Sequence, residues 1–169
     1  MTGLTPSQTV GPFFAIGLPF EAGPYAVPGD ADGIWVRGTV YDGAGDPVPD
    51  ALVETWQSSP PVDAGFRAFT RSGTDAEGRY AIRTRKPGPV PGPDGRLQAP
   101  HLAMSVFARG LLDRVVTRVY FPDENNVADP VLSTVDLVRR GTLMATSGDG
   151  GYVFDIRLQG EGETVFFAI

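Results

Sequence analysis

The 22 glycines and 16 prolines of this 169-residue chain are spread along it and act as turn punctuation between short apolar runs. Proline breaks helix interiors and is unwelcome in central strands, so a chain interrupted this often is driven toward short strands joined by turns. The runs between the breaks lean the same way. "IWVRGTVYD" starts at Ile34, "ALVETWQ" at Ala51, "GRYAIRT" at Gly78, "HLAMSVFA" at His101, "RVVTRVYF" at Arg114 and "YVFDIRL" at Tyr152, with "TVFF" near the end. Several alternate apolar with polar: Tyr152, Phe154, Ile156 and Leu158 fall on one side, Asp155 and Arg157 on the other.

Turn chemistry fills the connectors: "DGAGDPVPD" after the first run, "DAEG" before Arg79 and "SGDGG" before Tyr152. "KPGPVPGPDG", from Lys86 to Gly95, reads as a rigid loop that joins no sheet. In "STVDLVRRGTLMA" a Ser or Thr N-cap precedes Val135, Leu137 and Val138, which predicts a short helix from Ser133. The expected fold is all-β: a single β-sandwich domain with long loops, an N-terminal arm and at most one short helix. Residues 1–33 are expected to form the arm and linker, and 34–169 the sandwich. The arm begins with "LTPSQTVGPFF", whose Ser-Gln-Thr lies between Pro6 and Gly11-Pro12. Such a segment joins neither helix nor sheet, and Phe13 and Phe14 are expected to pin it by burial.

Hydrophobic residues make up 41% of the chain, as in a globular domain, and the net charge is −6. That balance excludes nucleic acid as a partner, because phosphate contact needs a basic face. With no cysteine, disulfides, zinc ribbons, iron–sulfur clusters and cysteine nucleophiles are all excluded. The sequence has no basic segment leading into an apolar stretch and no apolar run near the roughly 20 residues that cross a bilayer, so no membrane role and a cytoplasmic location are expected.

Self-sufficient chemistry is scarce. The lone histidine, His101, falls within a predicted strand and reads as a hydrogen-bonded core residue, so sites built on two histidines cannot form. "DENNVAD", Asp123 to Asp129, lacks the glycine and terminal glutamate of a calcium loop and reads as a surface loop. A G-x-S-x-G turn and a P-loop are both absent from the sequence. Arg109, at the end of the "HLAMSVFA" run, can offer a bidentate fork to a carboxylate or simply pair with an aspartate such as Asp113. No residue is assigned a catalytic or metal-binding role. What remains is a stand-alone binding module or one part of a larger enzyme.

"TPSQTVGPFFAIGL", "GTVYDGAGDPVPDALVETWQ", "KPGPV", "APHLAMSVFARG", "TRVYF" and "FDIRLQGEGETVFF" follow one another over nearly the whole chain. In this order they resemble the intradiol ring-cleavage dioxygenase family, and within it the iron-free α chain of the two-chain enzymes; "QGEGETVFF" is the most specific element. The resemblance implies a β-sandwich paired with a β subunit and assembled into higher αβ oligomers. It implies Fe(III) bound by that partner through two tyrosines and two histidines, and cleavage of protocatechuate by O₂ to 3-carboxy-cis,cis-muconate. Iron-binding chains of the family follow Trp-Gln with a tyrosine, where this chain offers Phe66 and Phe69 before Tyr80. Val90 replaces the second tyrosine, Ala103 replaces one histidine, and Gln98 replaces an arginine; His101 alone is kept. The resemblance further implies that Thr9, Gly11 and Pro12, the family's T-x-G-P element, line the partner's substrate pocket, and that Arg109 lies near the substrate carboxylate.

Overall fold

The computed structural model describes residues 11, 13–27, 29 and 32–168. Two sheets face one another. The first is centred on β1 (Ile34–Tyr41), which pairs antiparallel with β4 (Arg79–Thr84) on one edge. On its other edge it pairs parallel with β10 (Gly151–Val153) and then with β11 (Ile156–Arg157), and β9 (Thr146–Gly148) extends the sheet beyond β10. The second sheet is antiparallel, in the order β3 (Phe69–Gly73), β2 (Leu52–Trp56), β7 (His101–Phe107), β8 (Val115–Tyr120). Period-two alternation turns Val36, Val40, Tyr80, Ile82, Phe154 and Ile156 of the first sheet against Val53, Leu102, Met104, Val106 and Val119 of the second. Each large side chain buried there contributes about 1.5–3 kcal/mol. The all-β sandwich expected from the punctuation is what the chain forms.

The run "YVFDIRL" is two strands instead of one, because β1 and Phe154 approach too closely for a regular ladder. A Cβ on Gly38 would lie 1.8 Å from the Phe154 carbonyl oxygen, so glycine is required at that crossing. The same carbonyl accepts the buried Tyr80 hydroxyl at 2.6 Å, and Asp155 Oδ1 accepts the Thr39 N–H at 2.8 Å. The inward set is as expected: Phe154 and Ile156 are buried, and Tyr152 and Leu158 pack against the core.

Four local expectations are corrected. No α-helix forms at Ser133. Two 3-10 turns stand there, Leu132–Thr134 and Arg140–Leu143, separated by Val135 in an extended conformation. Val135 is buried, whereas Leu137 and Val138 are exposed, so no common helical face exists. The one α-helix among the described residues is a single turn in the arm, α1 (Phe14–Gly17). "KPGPVPGPDG" does pair: β5 (Val90–Pro91) meets β6 (Leu97–Gln98) in a two-residue ribbon, possible because the Pro91 nitrogen needs no partner at that edge. "TVFF" runs extended without a named strand, although the Phe167 N–H reaches the Val116 carbonyl at 2.8 Å. Phe14 is buried, but Phe13 is exposed, so one phenylalanine pins the arm and not two. The linker is docked: Ala26 and Val27 bury against Phe66, and Ala26 exchanges backbone bonds with Arg83 and Arg67.

Lys86, the only lysine in the sequence, clamps the two sheets at one end. Its ammonium lies 2.6 Å from Asp123 and 2.7 Å from Glu124, and over the rings of Phe121 and Tyr152. Burial pushes its pKa down, but its hydrogen bonds to Asp123 and Glu124 outweigh this and hold it above the usual lysine value. The hydrogen bond from Lys86 in turn holds the Asp123 carboxyl below the usual carboxylate range. Lys86→Met is expected to cost about 1–2 kcal/mol, a modest sum because Asp123 is half-exposed and screened. An acid with a lowered folded pKa contributes above its unfolded value, and a base with a raised one contributes below its own. The difference between wild type and variant should therefore be full between about pH 4 and pH 10 and shrink outside that window. Urea titrations at pH 2.5 and pH 7 measure it.

Candidate functional site

At the end of the second sheet where β2 finishes and β7 begins, Trp56 stands across from Ala103 on one side and Phe69 on the other. The chain leaves β2 through Gln57, whose amide ties two loops to the sandwich. Its Nε2 donates to the carbonyls of Ser59 (2.7 Å) and Arg85 (2.9 Å), and its Oε1 accepts from the Thr84 hydroxyl at 2.6 Å. All three contacts are made inside the protein, so this glutamine is a brace. The braced loops, with β7, enclose a cavity of about 300 Å³ lined by Trp56, Gln57, Ser58, Ser59, Pro87, Gly88, Val90, His101 and Ala103.

His101 is oriented by one hydrogen bond, from Nδ1 to the Ala99 carbonyl at 2.8 Å. A carbonyl only accepts, so Nδ1 carries the proton and Nε2 the lone pair. Burial, reinforced by the Arg118 charge and opposed by the Ala99 bond, lowers the ring's pKa and keeps it neutral at pH 7. Ala99 is itself held by Asp129, a buried side chain in the segment expected to be a surface loop. Asp129 accepts from the N–H groups of Ala99 (2.7 Å), Val131 (2.9 Å) and Leu132 (2.7 Å) and from the Tyr120 hydroxyl (3.0 Å). Arg118, cross-strand from Ala103, turns away from the cavity to Gln98 Oε1 at 2.7 Å.

Arg109 lies just beyond the other end of β7, eight residues and so roughly 25 Å along the strand direction from His101. Its Nε is 3.2 Å from Asp50 Oδ1, an ion pair too poorly aligned to count as a hydrogen bond, which leaves that buried oxygen without a donor among the described residues. The pairing partner that the fold supplies is thus Asp50. The terminal Nη groups of Arg109 make no hydrogen bond among the described residues, and the side chain is 60% exposed. Gly11 has a left-handed φ of +66°, a conformation that L side chains rarely adopt. Thr9 and Pro12 lie outside the described residues.

The sequence model of a dioxygenase family matches residues 11–160. The chain belongs to this family. Over 98% of its length and 97% of the relative's, it is 39% identical to the α chain of protocatechuate 3,4-dioxygenase from Burkholderia cepacia. To the protocatechuate 3,4-dioxygenase β chain of the same organism it is 36% identical, over 78% of this chain and 66% of the relative. The fold is also that of hydroxyquinol 1,2-dioxygenase from Pseudomonas putida DLL-E4, with a TM-score of 0.61 and 21% identity over 82% of this chain and 60% of the other.

Intradiol dioxygenases imply non-haem iron, and the residues present in this member do not fit it. Val90, His101 and Ala103, three positions at which the resemblance implies ligands in iron-binding chains, line one cavity, but only His101 has a ligating atom. The aromatic residues after Trp56 do not compensate. Phe66 is buried with Ala26 and Val27, Phe69 packs tilted against Trp56 at 4.5 Å between centroids, and Tyr80 is buried in the opposite sheet. Among the described residues no three His, Asp or Glu side chains gather into a metal-holding group. Sequence reasoning missed Gln57 and Asp129. The Trp-Gln pair was a signal for the first. For the second, Asp-Pro before a capped turn was a local cue, since its oxygen accepts from the N–H groups two and three residues on.

Proposed function

We propose that this chain is the iron-free α subunit of a heteromeric protocatechuate 3,4-dioxygenase, with residues 1–33 as arm and linker and 34–169 as the sandwich. The observation that carries this reading is the cavity in which Val90 and Ala103 stand where the iron-binding chains have ligands, in a chain similar over nearly its full length to α chains. The β subunit then supplies Fe(III), which activates the catechol ring toward O₂. This chain supplies binding and shape. Thr9, Gly11 and Pro12 line the partner's pocket: a glycine without Cβ lets backbone approach a ligand closely, and Thr9 can donate or accept a hydrogen bond. The Nη fork of Arg109 receives the substrate carboxylate, an interaction with no counterpart for plain catechol. The αβ pair assembles into a larger oligomer, located in the cytoplasm.

The arm tests this reading. Deleting residues 1–12 should leave the sandwich folded, because its buried clusters draw on residues from Ala26 onward. In the αβ complex the same deletion should lower kcat/KM for protocatechuate roughly tenfold or more through lost positioning. Full kcat/KM in a truncated complex would reduce the arm to an assembly element.

A further inference from the structure

We propose that the cavity bounded by Trp56, Val90, His101 and Ala103 is a metal-free binding site for an uncharged monocyclic phenol, whose hydroxyl donates to His101 Nε2. The Ala99 carbonyl fixes the proton on Nδ1, so Nε2 presents a lone pair. His101 makes no other hydrogen bond among the described residues, and it lines the cavity. A neutral imidazole nitrogen is a strong acceptor, and an O–H donor is what it lacks. The volume of about 300 Å³ stands at the lower end of the roughly 300–1,000 Å³ of small-molecule sites, which suits one aromatic ring. The walls fit that ring: the half-exposed indole of Trp56 offers a π-face, and Pro87, Val90 and Ala103 are apolar.

The remaining polar groups set the selectivity. Gln57 is consumed by its three contacts within the protein. Ser59 Oγ accepts from the Gly88 N–H at 3.2 Å and keeps its own proton for a second ligand oxygen. No lining side chain is charged, and Arg118 is held outside by Gln98. A carboxylate would meet no cation in the cavity wall and a single free hydroxyl, that of Ser59, so aryl acids are disfavoured against a neutral phenol. This selectivity is the opposite of that proposed for the substrate pocket that Arg109 serves. The site requires neither iron nor a partner, so its failure and that of the ring-cleavage reading are distinguishable.

The test titrates the purified full chain with phenol, anisole and benzoate by calorimetry and tryptophan fluorescence. Phenol should bind saturably with one site per chain. Anisole, which keeps the ring and loses the donor, should bind about tenfold more weakly, and benzoate at least as weakly as anisole. Ala103→Leu, which fills the cavity with a side chain suited to a strand, should reduce phenol affinity at least tenfold. Equal affinity for phenol and anisole on the wild-type chain, or no saturable phenol binding, would overturn the proposal without recourse to any variant.

Discussion

Replacing Asp129 by alanine is expected to lower stability by about 3–5 kcal/mol, against a total of about 5–15 kcal/mol for a domain. The side chain is 1% exposed and accepts four hydrogen bonds, three from backbone N–H groups and one from Tyr120. Alanine leaves those four donors unpaired, three of them buried, and a buried donor costs more unmade than its bond contributes when made. Tyr120→Phe removes a single donor and should cost only about 1 kcal/mol. Asp129→Asn should fall between, because an amide turns an N–H₂ toward groups that are themselves donors. Urea denaturation of the three variants separates these cases. A loss near 1 kcal/mol for Asp129→Ala would mean that water replaces the carboxylate.

Arg109→Ala is expected to reduce kcat/KM for protocatechuate roughly ten- to a hundredfold in the iron-loaded αβ complex. A hydrogen bond to a charged group contributes about 1.5–3 kcal/mol, and about 1.4 kcal/mol is a factor of ten. The carboxylate lies across the ring from the reacting hydroxyls and is bound alike in ground and transition states, so the loss should fall mainly on KM. Catechol, with no carboxylate, should be little affected. Arg109→Lys should recover part of the loss, because a point charge cannot reproduce the fork. Equal losses on both substrates would mean that Arg109 acts by supporting the fold or the subunit interface and does not read the substrate.

Most of the sandwich was legible because its strands alternate cleanly, as Leu102, Met104 and Val106 do in β7. β3 was not, since "FTRSG" holds one large apolar residue and gains its place by pairing Phe69 with Trp56. The helix expected at Ser133 failed for a related reason: an N-cap and three apolar residues describe a local preference, and of those three only Val135 is buried in the fold. Within the candidate site, residue types were readable and geometry was not. That Val90 and Ala103 cannot ligate follows from their chemistry. That they share one cavity with His101 and Trp56 depends on a ladder register that only the folded chain fixes. The brace of Gln57 and the hub of Asp129 are tertiary contacts whose partners lie up to 30 residues away in sequence.

The central claim is that this chain shapes a catalytic complex without holding its metal. Iron analysis after chelator treatment tests it most directly, on the chain purified alone and on the chain co-purified with its β partner, with ring cleavage of protocatechuate measured on the same samples. The account predicts no retained iron and no cleavage for the chain alone. It predicts one ferric ion per αβ pair, with the visible absorption of tyrosinate-bound iron and full activity, for the complex. Stoichiometric, chelator-resistant iron in the isolated chain would contradict it.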